Sequence, residues 1–141
     1  NLTLNVGLVN ATSKRMTLGL NIRYPVTFAF DEVMSLLNQS LEGSGFIAAV
    51  SQQVQDPLYY PKDSPLIVTL TRVYSEHTGR NDSAIAIGGG TYAKEMPNIV
   101  ASGPMMPDQE EVEHQANEYI AIDQLVNVTK IYAQDIYELA R

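Results

Sequence analysis

Apolar and polar residues alternate along the first part of the chain, over residues 2–9 and again over residues 16–23. A period of two places successive side chains on opposite faces of a β-strand, and the polar residues 10–15 between the runs are typical of a turn. The sequence therefore predicts a β-hairpin whose second strand ends before Pro25 and carries Arg23 on its polar face. The predicted apolar face consists of Leu2, Leu4, Val6 and Leu8 in the first strand and Met16, Leu18, Leu20 and Ile22 in the second.

Helical periodicity follows the hairpin in three places, where apolar residues recur three and four positions apart. This pattern predicts helices over residues 30–41, 65–78 and 122–140. Ser64 directly before Pro65 is a helix-start signal, because serine caps the first free N–H groups and proline fits the first helical position. The apolar stripe predicted for the last helix consists of Ile122, Leu125, Val126, Thr129, Tyr132, Ala133, Ile136 and Ala140.

Three short segments are predicted as further strands, at residues 46–54, 84–87 and 99–101, and the second of these is expected to be buried. Residues 1–55 would then form a ββαβ unit. A loop rich in proline and acidic residues is predicted from Pro104 to Tyr119.

Composition narrows the class of protein. With 141 residues, 45% of them apolar and 18% charged, the chain is typical of a folded globular protein. Its net charge of −7 disfavours nucleic acid and anionic membranes as partners. The absence of cysteine excludes a disulfide scaffold and a thiol nucleophile. No apolar run approaches the ~20 residues of a membrane span, and no charged-then-apolar signal segment opens the chain. Together with the acidic, cysteine-free composition, this leads us to expect a cytoplasmic protein. The chain begins inside a predicted strand, which suggests a piece of a longer protein.

His114 is the first candidate for chemistry. It lies in the predicted loop among several carboxylates, Glu110, Glu111, Glu113 and Glu118. Imidazole is a common metal ligand, and carboxylates can orient its second nitrogen. The spacing matches no complete zinc motif, since a catalytic site needs about three protein ligands. The residues alone leave two interpretations: an exposed loop histidine, or a metal ligand whose partners lie outside this sequence.

A glycine run and one arginine are candidates for binding an anion. Gly88-Gly89-Gly90-Thr91 follows an apolar segment, and consecutive glycines let backbone N–H groups converge on a carboxylate or phosphate. The alternative is a tight turn or bulge between buried strands. Arg23 is suited to pairing with a carboxylate through two parallel hydrogen bonds. Its alternative role is that of a solvated arginine on an edge strand.

Several of these segments together resemble the C-terminal end of the PepV-type dipeptidases, which belong to the dinuclear zinc aminoacylase and carboxypeptidase-like metallopeptidases. The resemblance rests on residues 86–94 (Ala-Ile-Gly-Gly-Gly-Thr-Tyr-Ala-Lys), on Gly103-Pro104, and on His114-Gln115 followed by residues 118–120 (Glu-Tyr-Ile). Upstream, residues 20–25 resemble the arginine-containing strand of that family's lid domain. Residues 131–139 resemble its closing helix, so the resemblance covers nearly the whole chain.

The resemblance implies an α+β / α/β fold that is a fragment of a two-domain metallopeptidase. Residues 1–61 would be the C-terminal part of a ferredoxin-like lid domain with ββαβ topology. Residues 62–141 would be the C-terminal α/β part of the catalytic domain. The remainder of the same polypeptide would then be the main partner of this chain.

The resemblance also implies hydrolysis of dipeptides by a water activated between two zinc ions, with manganese or cobalt as alternative metals. His114 would be a metal ligand, and Arg23 would bind the C-terminal carboxylate of the dipeptide. Gly88, Gly89, Gly90 and Thr91 would line the pocket beneath that carboxylate. The general base and the other metal ligands would lie outside this chain, which we therefore expect to be inactive alone.

Two alternatives to a dipeptidase stay open at this stage. One is an N-acyl amino acid deacylase of the same metallopeptidase family. The other is a non-enzymatic α+β module that binds a small molecule or associates with another subunit, with the glycine run holding an anion structurally.

Overall fold

The computed structural model of the chain describes residues 2–52, 54–103 and 105–141. Within these residues it contains two β-strands and three α-helices, together with one short 3-10 helix at Tyr92–Lys94. The elements are β1 (Thr3–Ala11), β2 (Met16–Arg23), α1 (Phe30–Leu41), α2 (Pro65–Thr78) and α3 (Ile122–Leu139). The predicted hairpin, the three helices and the mixed α+β class are confirmed. The chain divides into two compact units, Asn1–Tyr59 and Tyr60–Arg141.

The hairpin contains an irregularity that the alternating pattern did not predict. β1 and β2 pair antiparallel, and their register shifts between Val6 and Leu8. A shift of one residue moves the following side chains to the opposite face of the strand. Leu8 consequently pairs with Gly19 on the polar face, while Val9 pairs with Leu18 on the apolar face. The prediction that Leu8 belongs to the apolar face is therefore wrong.

The apolar face of the hairpin is open. Every residue of β1 is exposed, and Val6 and Val9 expose 48% and 55% of their surface. Among the described residues, no Cα atom of α1 lies within 8 Å of a Cα atom in either strand. The first unit therefore leaves uncovered an apolar surface of the kind that β-sheets normally bury.

The predicted strands at residues 46–54, 84–87 and 99–101 are not formed by the residues that the structure describes, and Gln53 lies outside them. The first unit is therefore ββα rather than ββαβ, and the described part of the second unit is helical rather than α/β. A strand needs a hydrogen-bonding neighbour along its length, and these segments pair with no described strand. The prediction of a buried segment is also wrong, since Ile85 is 85% exposed.

α2 and α3 pack against each other in the second unit. α2 begins as predicted, with the side chain of Ser64 accepting a hydrogen bond from the N–H of Ile67 at 3.5 Å. It ends at Gly79, whose φ of 68° lies in the left-handed region that favours glycine. Val73 is fully buried on α2, and Ile131 is buried on α3. None of the helices in the described ranges has the length and apolar character needed to cross a membrane.

α3 buries a different face from the one predicted. Its buried residues are Val128, Ile131 and Asp135, whereas Ile122 and Ile136 of the predicted stripe are 79% and 69% exposed. The helix carries apolar residues on two faces, and α2 can cover only one of them. The periodicity thus identified the helix correctly but not the face that packs inside this unit.

We predict that Gly19→Ala destabilises the hairpin by about 1–3 kcal/mol, the usual range for overpacking. A Cβ atom at position 19 would lie 3.0 Å from the Cβ atom of Leu8, closer than van der Waals contact allows. Urea unfolding followed by circular dichroism measures the effect. Gly7→Ala is the matched control, since its Cβ would meet only Asn5 Nδ2 at 3.8 Å. Equal stability of the two variants would contradict the close pairing of Leu8 with Gly19.

Candidate functional site

The loop that precedes α3 holds His114 in an unusual backbone conformation. His114 and Asn117 both have a φ of 63°, in the left-handed region that residues other than glycine rarely adopt. The N–H of His114 donates a hydrogen bond to Oε2 of Glu118 at 3.1 Å. The side-chain amide of Gln115 donates to the carbonyl of Glu111 at 2.7 Å. Two side chains thus brace the turn that carries His114. Pro104, the predicted start of the loop, lies outside the described residues.

The imidazole of His114 suits one position in a metal site. Its side chain is exposed, and its ring nitrogens make no hydrogen bond to any described residue. In the part of the chain that the structure describes, no three His, Asp or Glu side chains are grouped so as to hold a metal ion. His114 can therefore serve as a single metal ligand. The described residues of this chain do not form a complete metal centre by themselves. The role of His114 stays a prediction.

The glycine run lies in an exposed segment before the short 3-10 helix. Gly88, Gly89 and Gly90 are exposed, and none of them has a positive φ. A Cβ atom at Gly88 or Gly90 would have no heavy atom within 4 Å. Thr91 accepts a hydrogen bond from the N–H of Ala93 at 3.3 Å and so starts the 3-10 helix. The run is therefore not a bulge between buried strands, and the described fold does not itself require glycine there.

Arg23 is the last residue of β2 and is exposed. It pairs with Thr3 across the hairpin. As the alternation predicted, Arg23 lies on the polar face of β2, and its neighbour Ile22 lies on the apolar face. Arg23 belongs to the first unit, whereas the glycine run and His114 belong to the second. Arg23 is therefore described within the first unit, and the other predicted site residues within the second.

A polar network across the two packed helices was not predicted. Arg72 of α2 forms ion pairs with Glu76 at 2.7 Å and with Glu138 of α3 at 2.9 Å. Gln134 donates to Glu76 at 2.9 Å, and its carbonyl oxygen lies 2.7 Å from Nε2 of His77. The side-chain nitrogen of Gln134 donates to Glu76, so its side-chain oxygen faces His77. Because that oxygen can only accept, Nε2 of His77 is the donor in this hydrogen bond. The hydrogen bond from Arg72 lowers the pKa of Glu76 below its usual value.

Asp135 is the buried polar residue of the helix pair. It is 5% exposed, and its Oδ1 atom has no hydrogen-bond partner among the described residues. Burial raises the pKa of Asp135, and the nearby His77 acts in the opposite direction. The sequence offers one signal for this position, because Asp135 lies one helical turn after Ile131 on the buried face of α3.

A cleft of about 370 Å³ lies beside the helix pair, lined in part by His77, Arg80 and Asp108. None of the site residues predicted from the sequence lines it. The cleft therefore gives no support to those assignments.

The sequence is similar to known proteins over almost its whole length. No protein-family model matches the sequence. The chain is 38% identical over 138 residues to a Staphylococcus haemolyticus protein named as a dipeptidase, covering 97% of this chain and 29% of that protein. It is 39% identical over 141 residues to a protein of Bacillus subtilis that is also named as a dipeptidase, covering 99% of this chain and 30% of that protein. A Staphylococcus saprophyticus protein with the same kind of name is 37% identical over 138 residues.

The chain thus spans less than a third of the length of the curated relatives that it matches. The similarity covers almost all of this chain, including both units and every predicted site residue that the structure describes. It supports the coarser expectation that the chain corresponds to part of a dipeptidase-like protein. The PepV type, the zinc ions and the roles of single residues stay predictions.

We predict that Asp135→Asn stabilises the protein at pH 7 and that this gain disappears as the pH falls towards 4. The folded state binds the proton of Asp135 more tightly than the unfolded state. Protonated Asp135 therefore contributes its full stabilisation of the folded state below the ordinary pKa of 3.8. This contribution is lost as the pH rises through the raised pKa of the folded state, where the buried carboxylate becomes charged. Urea unfolding at several pH values measures the difference.

Asp82→Asn is the control with the opposite sign. Hydrogen bonds from Arg80 and Tyr74 lower the pKa of Asp82, so removing its charge should cost stability at neutral pH. A constant effect of Asp135→Asn between pH 4 and pH 7 would contradict the assignment of a raised pKa to Asp135.

Proposed function

We propose that this chain is the C-terminal part of a metal-dependent dipeptidase of the PepV type. Residues 1–61 would belong to its lid domain and residues 62–141 to its catalytic domain. The observation that carries the proposal is the 37–39% identity to proteins named as dipeptidases, which extends over 97–99% of the chain. The division of the structure between Tyr59 and Tyr60 lies close to the proposed domain boundary.

The open apolar surfaces support a larger polypeptide around this chain. One is the apolar face of the hairpin, and the other is the outer stripe of α3, where Ile122 and Ile136 are mostly exposed. Large exposed apolar patches normally mark surfaces that another part of the protein or a partner covers. Relatives more than three times as long as this chain have the additional residues to cover both.

His114 would contribute one ligand to a pair of metal ions, with zinc as the proposed metal and manganese or cobalt as alternatives. Metal ions in such a site lower the pKa of bound water and polarise the scissile carbonyl group. This chain would hold the imidazole through its braced turn, while the other ligands and the general base would come from the rest of the polypeptide. With one imidazole, the chain alone would be inactive.

Arg23 and the glycine run would bind the substrate. An arginine at the end of an exposed strand can bind the C-terminal carboxylate of a dipeptide through two parallel hydrogen bonds. Gly88 and Gly90 leave open space where side chains would otherwise stand. The absence of side chains there allows the close approach of a substrate to the backbone.

The substrate class is tested with the complete polypeptide that contains this chain. We expect hydrolysis of dipeptides with a free C-terminal carboxylate and little hydrolysis of N-acyl amino acids. A preference for N-acyl amino acids would favour a deacylase and overturn the proposal. Absence of both activities in the metal-loaded polypeptide would favour the non-enzymatic module.

In the complete polypeptide, we predict that His114→Ala reduces metal affinity more than about 100-fold and reduces activity in parallel. The loss should exceed that for residues that only orient metal ligands, whose mutation costs about 10–100-fold in metal affinity. Competition with a chelating indicator measures affinity, and turnover of a dipeptide measures activity. His77→Ala is the matched control, because His77 hydrogen-bonds Gln134 and has no proposed metal role. Normal metal content and turnover in His114→Ala would remove His114 from the site.

We predict that Arg23→Ala lowers kcat/KM for dipeptides by about 30-fold or more, the cost of leaving one partner of a desolvated charge pair unmatched. Dipeptides amidated at the C-terminus lack the carboxylate and should show a much smaller loss. Arg15→Ala, which removes an exposed arginine from the hairpin turn, is the control. An equal loss on free and amidated substrates would contradict carboxylate binding by Arg23.

A further inference from the structure

The backbone of His114 combines an uncommon conformation with a hydrogen bond to a nearby side chain. A φ of 63° is uncommon for residues other than glycine, although histidine adopts it more often than most other residues do. Such conformations persist where the surrounding structure enforces them, and they are frequent at functional sites.

Glu118 supplies the contact. Its Oε2 atom accepts a hydrogen bond from the N–H of His114 at 3.1 Å, and its own N–H donates to the carbonyl of Gln115 at 3.3 Å. The N–H of Gln115 also donates a hydrogen bond to the carbonyl of Val112 at 3.2 Å. Glu118 thus closes the turn around His114 from the C-terminal side.

The contact differs from the one that carboxylates usually make with metal-binding histidines. Carboxylates beside such histidines commonly accept the N–H of the imidazole ring. Here the carboxylate of Glu118 accepts from the backbone, and the ring of His114 makes no hydrogen bond to a described residue. Neither Glu110 nor Glu113 makes a hydrogen bond or ion pair to any described residue. Both ring nitrogens therefore stay available.

We propose that Glu118 is a positioning residue, which holds the backbone of His114 in the left-handed conformation that presents its imidazole to the metal. The inference rests on the proposed function, in which His114 is a metal ligand. In this role Glu118 would act through His114, without touching metal or substrate itself. Its contribution is to reduce the number of directions in which the imidazole can point before the metal binds.

The test compares three variants of the complete polypeptide. Glu118→Ala removes the acceptor, and Glu118→Gln removes the charge but keeps an oxygen that can accept the N–H of His114. Glu113→Ala removes a neighbouring exposed carboxylate that makes no hydrogen bond to a described residue. Two properties are measured: zinc affinity, by competition with a chelating indicator, and amide hydrogen exchange of residues 112–118, by mass spectrometry.

We expect Glu118→Ala to weaken zinc binding about 10-fold and to accelerate amide exchange in the turn. Glu118→Gln should restore most of both properties, and Glu113→Ala should leave both unchanged. Unchanged zinc affinity or unchanged exchange in Glu118→Ala would overturn the inference. An equal loss of zinc affinity in all three variants would also overturn it, because charge alone would then explain the effect.

Failure of the proposed function gives a different result. If His114→Ala retains normal zinc affinity, His114 is not a ligand, and the metal-linked part of the inference fails with the proposed function. If His114→Ala loses zinc while Glu118→Ala does not, the proposed function stands and the positioning role of Glu118 is wrong.

Discussion

The packing of α2 against α3 is the interaction on which the second unit depends. The two helices bury Val73 completely, and they are linked at their surface by Arg72, which bridges Glu76 and Glu138. The loop that carries His114 leads directly into α3, so the helix pair fixes one end of that loop. The loop keeps its local shape through its own hydrogen bonds, and its place in the unit depends on the helices. Each surface ion pair contributes little to the free energy of unfolding, and the burial of apolar side chains contributes most of it.

Short-range signals in the sequence correctly predicted the hairpin and the three helices. The Ser64-Pro65 start of α2 and its end at Gly79 depend on residues within one helical turn, and both are present in the structure. The shift in the hairpin could not be predicted in this way, because it depends on how Leu8 meets Gly19 across the strands. The predicted additional strands failed for the same reason, since a strand forms only with a neighbour that local patterns do not identify.

The candidate site shows the same division between local and non-local information. His114, Arg23 and the glycine run were identified by residue type and by their resemblance to a family motif. The contact between Glu118 and the backbone of His114 could not be inferred from the sequence, which suggested that nearby carboxylates orient the imidazole ring or join the metal coordination. The buried position of Asp135 was missed because the predicted stripe of α3 lay on the other face, which this chain leaves exposed.

The most direct measurement is a crystal structure of the complete polypeptide grown with zinc, with the metal located by anomalous scattering. We predict zinc bound by a ring nitrogen of His114 together with ligands from outside residues 1–141. A well-occupied metal centre that excludes His114, in a polypeptide that hydrolyses dipeptides, would contradict the central claim.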